Sequence, residues 1–297
     1  MAFIKSLVKQ LPEYFETNNE SEQNTTINEN WSCNNVLESV TLAFNILSDD
    51  DNEYSNTLDN ENGVINHNKG PLENYEKKSL VSLEEAVKPI QHLISNLTSY
   101  VWTAKENCKK LDGYLTLDEA AAVYLYTMQC LYHQLNAALR SEKREQITPY
   151  YSYLKLILTA LWKLPSEKCL VYRGVKSDIS AQFDKGQKFT WWGLTSCTGA
   201  LGVLQSDLFL GKSGNRTMFI IECMDGKIIQ KYSHFSDESE VLLLPCSYFE
   251  VLDNIDQGNG LYAIHVKQIQ PPVLLIQPPF SEGKRDSIYL STPYTLK

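Results

Sequence analysis

At about residue 166 the spacing of apolar residues changes from that of helices to that of strands, and this change restricts the fold more than any other feature. Before it, Tyr124, Leu125, Met128, Leu131, Leu135 and Leu139 form one helical stripe, and Leu154, Ile157, Leu158 and Leu161 another. Ser82 and Glu85 have capping-box spacing ahead of an apolar run reaching Trp102, with Pro89 inside its first turns; Thr116 and Glu119 repeat that spacing. Thr148-Pro149 is a cap followed by a first-turn proline, and Pro165 stops that helix. Beyond it the spacing predicts strands over 169–173, 189–194, 217–222, 240–244, 248–252 and 261–268, separated by turn residues such as Gly186, Gly214, Asp225-Gly226 and Gly258-Asn259-Gly260. Helices first and strands afterwards imply an α+β fold with an antiparallel or mixed sheet.

The boundaries follow from the same pattern. Residues 81–165 read as a helical lobe and 166–272 as a β-rich core. Residues 1–80 read as an extension of amphipathic stretches and a polar, acidic, partly disordered loop, and 273–297 as a proline-bearing surface tail.

A net charge of −9 argues against a sequence-independent grip on nucleic acid or an anionic membrane, which needs a basic footprint. No signal-peptide stretch, spanning run or lipid-anchor tail is visible, so a cytoplasmic protein without a membrane anchor, monomeric, is the expectation. The seven cysteines are odd in number and scattered, with no metal-ligand spacing, and read as reduced thiols. No metal is expected. The histidines show no ligand spacing either. Gly211-Lys212-Ser213 imitates the end of a phosphate-binding loop, but Ser206 stands where its first glycine belongs. Trp191 and Trp192, adjacent on a strand, are expected to point to opposite faces.

Chemistry concentrates in three segments. Glu238-Ser239-Glu240-Val241-Leu242-Leu243-Leu244 puts two carboxylates, on one face, at the mouth of a strand with no solvated side. Carboxylates so placed need cations, hydrogen-bond donors or a substrate. Leu170-Val171-Tyr172-Arg173-Gly174-Val175 is an apolar strand carrying an arginine, whose guanidinium requires an anion once buried. Trp191-Trp192-Gly193-Leu194-Thr195-Ser196-Cys197-Thr198 is a strand turning into a hydroxyl-rich stretch. Each alone also suits an ion pair, a surface turn or a wet carboxylate.

In this order and spacing the three segments resemble the signature of the Arg-Ser-Glu class of mono-ADP-ribosyltransferases. Tyr172-Arg173-Gly174 is similar to its arginine strand, Thr195-Ser196-Cys197-Thr198 to its Ser-Thr-Ser strand, and Glu238-Ser239-Glu240 to the Glu-x-Glu of its arginine-modifying members. Leu115 to Ala122 and Tyr153 to Leu156 resemble the helical region ahead of the catalytic core, so the likeness spans roughly 110 to 270. It implies a helical lobe packed on a split β-sandwich with NAD+, or NADP+, in the cleft. By the same resemblance Arg173 would hold the phosphate and ribose side, Gly174 would offer backbone contacts to the nicotinamide amide, and Ser196 would position the nicotinamide ribose and hydrogen-bond Glu240. Glu240 would be the catalytic carboxylate and Glu238 would engage the acceptor guanidinium. The segment from Tyr232 to Asp237, with Phe235, would recognise the acceptor, a protein presenting arginine. Cys197 and Thr198 depart from the pattern, and a thiol near the cleft is expected. The same residues leave open an NAD glycohydrolase, a non-catalytic NAD-binding module and a glycosidase dyad; Arg173 suits phosphates better than sugar hydroxyls.

Overall fold

The computed structural model describes residues 72–280 apart from 112, 129, 142, 206–209 and 236–238. Within them a helical lobe comes first, with α1 (Leu83–Val87), α2 (Leu97–Cys108), α3 (Leu117–Thr127), α4 (Tyr132–Arg140), α5 (Arg144–Ile147) and α6 (Tyr151–Lys163). Strands follow: β1 (Leu170–Val175), β2 (Lys188–Trp191), β3 (Thr195–Thr198), β4 (Arg216–Glu222), β5 (Lys227–Ile228), β6 (Glu240–Leu243), β7 (Ser247–Asp256) and β8 (Leu261–Gln268). The fold is α+β.

Two of the expected helices are broken. Ser82 caps α1 by accepting from the Glu85 amide, but the chain tightens into a 3-10 turn at Lys88–Ile90 around Pro89 and restarts only at Leu97. Pro89 can neither donate an amide hydrogen nor fit a helix interior, so the run to Trp102 is not one helix. The stripe from Tyr124 to Leu139 is likewise divided between α3 and α4. Its apolar residues still share one core, which is why periodicity alone joined them. The Thr116 capping box is complete: the Thr116 side chain accepts from the Glu119 amide, and the Glu119 carboxylate from the Thr116 amide. Thr148-Pro149 opens a 3-10 turn that leads directly into α6.

The sheet is mixed, ordered β2-β7-β8-β4-β1-β3-β6-β5, with β4 and β8 parallel and every other pair antiparallel. The expected split sandwich takes the form of one continuous strand order with a weak seam. At that seam β1 and β3 pair at a single position, Tyr172 opposite Thr198. Across it one apolar core unites Val171, Phe219, Phe249 and Val266 with Cys197, Val241 and Leu243.

Strand β6 explains how lobe and sheet join. Val241 and Leu243 enter the sheet core, while Leu242 and Leu244 enter the lobe core beside Leu194, Ile229 and Tyr232. Both faces are buried, as its unbroken apolar run implies. Burying one such leucine contributes about 1.5–3 kcal/mol. The adjacent tryptophans divide the same way, Trp191 into the sheet core and Trp192 against the lobe.

Upstream, Leu72 and Tyr75 belong to the lobe core, and downstream Leu275 joins it. The Tyr75 hydroxyl donates to the Gln277 carbonyl, and Lys155 Nζ to the carbonyls of Glu76 and Pro279. No helix among the described residues is long and apolar enough to cross a membrane. Strand β3 coincides with the stretch that resembles the Ser-Thr-Ser strand, whereas β5 was not expected: at two residues it offers no alternation to be read.

Candidate active site

Arg173 and Ser196 meet at the seam between β1 and β3, and Glu240 lies on β6, the next strand of the sheet. Arg173 has the parity of Val171 and Val175 on β1, so it lies on the sheet-core face and is buried. Its Nη1 donates to the Ser196 carbonyl at 3.1 Å, tying the arginine strand to β3 at the point where pairing stops. Ser196 lies opposite Leu242, and Thr198 opposite Glu240. Ser196 and Glu240 are therefore diagonal neighbours on one face, within reach of each other.

Glu240 opens β6 and is half-buried. Burial pushes its carboxyl above the ordinary range; hydrogen bonds from the Ser233 and Ser196 hydroxyls act in the opposite direction, and the burial dominates. The Ser233 Oγ lies 2.8 Å from Glu240 Oε2. Tyr126 on α3 and Cys197 on β3 are each raised in pKa chiefly by burial, with Arg173 and Glu240 as opposing lesser influences.

Gly174 has a packing reason to be glycine. A Cβ there would meet Leu210 Cβ at 3.1 Å, on the face away from Arg173. Cys197 lies on the opposite face of β3 from Ser196. Alternation turns its side chain into the sheet core, and its thiol is buried and pushed upward in pKa, so it does not line the face that carries Ser196. The Phe235 ring packs edge-on to His234 at 4.8 Å, and the Phe235 amide donates to Ser233 Oγ at 3.0 Å. Glu238, with Ser236 and Asp237, lies outside the described residues.

Several participants were not named individually as site residues from the sequence. Ser233, Tyr124, Thr127 and His234 connect the segment ahead of Glu240 to α3: the His234 amide donates to Thr127 Oγ1 at 2.8 Å, and Tyr124 Oη and His234 Nδ1 are 2.9 Å apart. Asn136 and Tyr126 hold the approach to β3. In the sequence Tyr124, Tyr126, Thr127 and Asn136 are ordinary polar residues within apolar stripes, and Ser233 and His234 members of the segment ahead of Glu240; only tertiary pairing reveals what they bond.

The donor set suits a diphosphate-bearing nucleotide: a buried guanidinium for phosphate, a serine hydroxyl for ribose, and a desolvated carboxylate for a developing cation. The helical lobe and mixed sheet reproduce the fold of the eukaryotic mono-ADP-ribosyltransferase ART2.2, with a TM-score of 0.52 at 21% identity over 70% of this chain and 92% of that one. The NAD:arginine ADP-ribosyltransferase family model matches residues 68–270, and the chain belongs to that family. It is 30% identical over 174 residues to the NAD(+)–protein-arginine ADP-ribosyltransferase Tre1 of Serratia proteamaculans strain 568, covering 56% of this chain and 36% of Tre1. To the NAD(P)(+)–arginine ADP-ribosyltransferase 2 of Gallus gallus it is 30% identical over 159 residues, covering 50% of this chain and 48% of the other. The chain thus spans less than half the length of either curated relative.

Proposed function

We propose that the protein transfers ADP-ribose from NAD+ to arginine side chains of acceptor proteins, with release of nicotinamide. The observation that carries this reading is Glu240: a half-buried carboxylate, raised by burial yet held by two serine hydroxyls, one of them on Ser196, whose carbonyl accepts from the buried Arg173. Family membership and the arginine-specific relatives support it. The working unit is proposed to be 81–272, a helical lobe (81–165) on an NAD-binding core (166–272), with 1–80 and 273–297 as extensions.

When bound, NAD+ supplies an activated bond between the ribose carbon and nicotinamide, whose electron pair leaves with the nicotinamide nitrogen. Arg173 neutralises the diphosphate, and its bond to the Ser196 carbonyl keeps it aligned with β3. The backbone of Gly174 contacts the nicotinamide amide. Ser196 orients the nicotinamide ribose and Glu240. Glu240 accepts from the ribose 2′-hydroxyl and stabilises the positive charge developing on the ribose carbon, as carboxylates do in glycoside hydrolysis. A preorganised group of this kind is worth ~10²–10³ in rate. Glu238 binds the acceptor guanidinium and takes the proton lost as nitrogen bonds to carbon, while Phe235 contacts the acceptor beside it.

Incubation with labelled NAD+ and agmatine tests the reading. An ADP-ribosyl-agmatine adduct, absent with Glu240→Gln, is the expected result; free ADP-ribose without adduct identifies a glycohydrolase instead. NADP+ in the same assay reports donor choice.

A further inference from the structure

We propose that Ser233 is a positioning residue for Glu240, coupling the orientation of the catalytic carboxylate to the docking of the preceding segment on helix α3. The inference rests on the catalytic role given to Glu240 above. It concerns a residue outside the Glu238-Ser239-Glu240 motif.

The geometry fixes the direction of the Ser233 hydroxyl. A serine oxygen carries one proton and can accept besides. Ser233 Oγ already accepts the Phe235 amide at 3.0 Å, so its own proton is available to Glu240 Oε2 at 2.8 Å. The residue is buried, and water competes poorly for that proton. Its backbone is held too: Ser233 donates to the Gln230 carbonyl at 3.2 Å, and Ile229 to the Glu240 carbonyl at 3.1 Å.

The next residue is anchored on the lobe. His234 donates its amide to Thr127 Oγ1 at 2.8 Å, and Thr127 in turn donates to the Tyr124 carbonyl at 2.8 Å. Both hydroxyls are thereby used in both senses. One end of α3 fixes His234, His234 fixes Ser233, and Ser233 fixes the carboxylate. An acceptor that engages Phe235 bears on the same linkage through the Phe235 amide. A serine serving only to hold the turn would have no reason to give its proton to Glu240.

The test is a titration of Glu240 by carboxyl ¹³C NMR on glutamate-labelled full-length protein, with Glu240→Gln supplying the assignment. Besides Ser233, Ser196 from β3 hydrogen-bonds this carboxylate, and its charge reaches Tyr126 on α3 and the Cys197 thiol on the other face of β3. They are left unchanged. In Ser233→Ala the pKa of Glu240 moves further upward, and Ser233→Thr, which keeps the hydroxyl, returns it. Thr127→Val moves it in the same direction by releasing His234, and it serves if Ser233→Ala does not fold. In turnover with NAD+ and agmatine, Ser233→Ala loses about 10- to 100-fold in kcat, the worth of a hydrogen bond to a charged group. Its acid limb moves to higher pH, and Ser233→Thr restores most of the rate. An unchanged Glu240 titration in both Ser233→Ala and Thr127→Val overturns the inference, whatever the activity. A shifted titration in a protein that makes no adduct refutes the transferase reading and leaves the positioning role standing.

Discussion

Asn136 pairs with both backbone groups of Leu194: Asn136 Oδ1 accepts the Leu194 amide at 3.0 Å, and Asn136 Nδ2 donates to the Leu194 carbonyl at 3.2 Å. Tyr126 Oη donates to the same carbonyl at 3.1 Å and accepts from Asn136 at 3.2 Å. Leu194 stands two residues before Ser196, so this buried knot sets how the chain enters β3. Truncation leaves backbone groups unpaired away from water. Asn136→Leu is expected to cost about 2–4 kcal/mol of stability, measured by urea unfolding, and to weaken NAD+ binding through Ser196. Gly193→Ala should act in the same direction, because its Cβ would fall 2.8 Å from Asn136 Oδ1.

The burial of Glu240 sets how stability responds to pH. Its carboxyl is raised above the ordinary range by burial, so the folded state holds that proton more tightly than the unfolded one. The linkage sign follows: the group's contribution to stability is fully present below its unfolded pKa and is lost as pH rises through its raised folded value. At neutral pH the ionised, desolvated carboxylate is therefore a cost. Glu240→Gln should raise Tm at pH 7 to 8 and lose this advantage as pH falls through the carboxyl range, while turnover drops by ~10²–10³-fold or more. Paired thermal scans at acid and neutral pH check the sign. A lower Tm for Glu240→Gln at neutral pH contradicts the assignment.

How much of this was written in the sequence depends on range. The capping box at Thr116, the doubly buried β6 and the change of period near 166 are local, and all three were legible. The break at Lys88–Ile90 was signalled by Pro89, yet the apolar run outweighed it. The division between α3 and α4 had no comparable marker, because both halves bury into one core. At the site, Arg173, Ser196 and Glu240 were named from the order and spacing of three motif segments, each lying in one strand. Asn136 and Thr127 were not, and Ser233 entered only as part of the segment from Tyr232 to Asp237: each acts on a backbone or carboxylate group that only the folded chain brings to it.

Cys197 provides a test of which way β3 faces. The thiol lies in the sheet core with Val241 and Leu243, while its neighbours Ser196 and Thr198 lie on the other face. A serine at 197 would set a hydroxyl among apolar side chains. Cys197→Ser is expected to cost about 1–3 kcal/mol, whereas Cys197→Val should fold close to normally, since free cysteine packs as a small hydrophobe. Agmatine turnover per folded molecule should be retained in both. Loss of turnover in a fully folded Cys197→Val would instead put position 197 in the cleft.

The capping box of α3 is joined to a charge pair that the lobe cannot lose one-sidedly. Glu119 is fully buried; its carboxylate accepts from the Thr116 amide at 2.9 Å and from Lys163 Nζ at 2.6 and 2.8 Å. Lys163 closes α6, where a cation also favours the helix's carbonyl end. Lys163→Met removes the partner and leaves a charge desolvated, a change that costs about 3–5 kcal/mol in such settings. Adding Glu119→Gln should recover much of that loss, because glutamine still caps Thr116 and brings no charge. Urea unfolding of the two single variants and the double variant isolates the coupling, with the double variant more stable than Lys163→Met alone. If the double variant is no better, the pair contributes through packing rather than charge, and the link from the α3 start to the α6 end is steric.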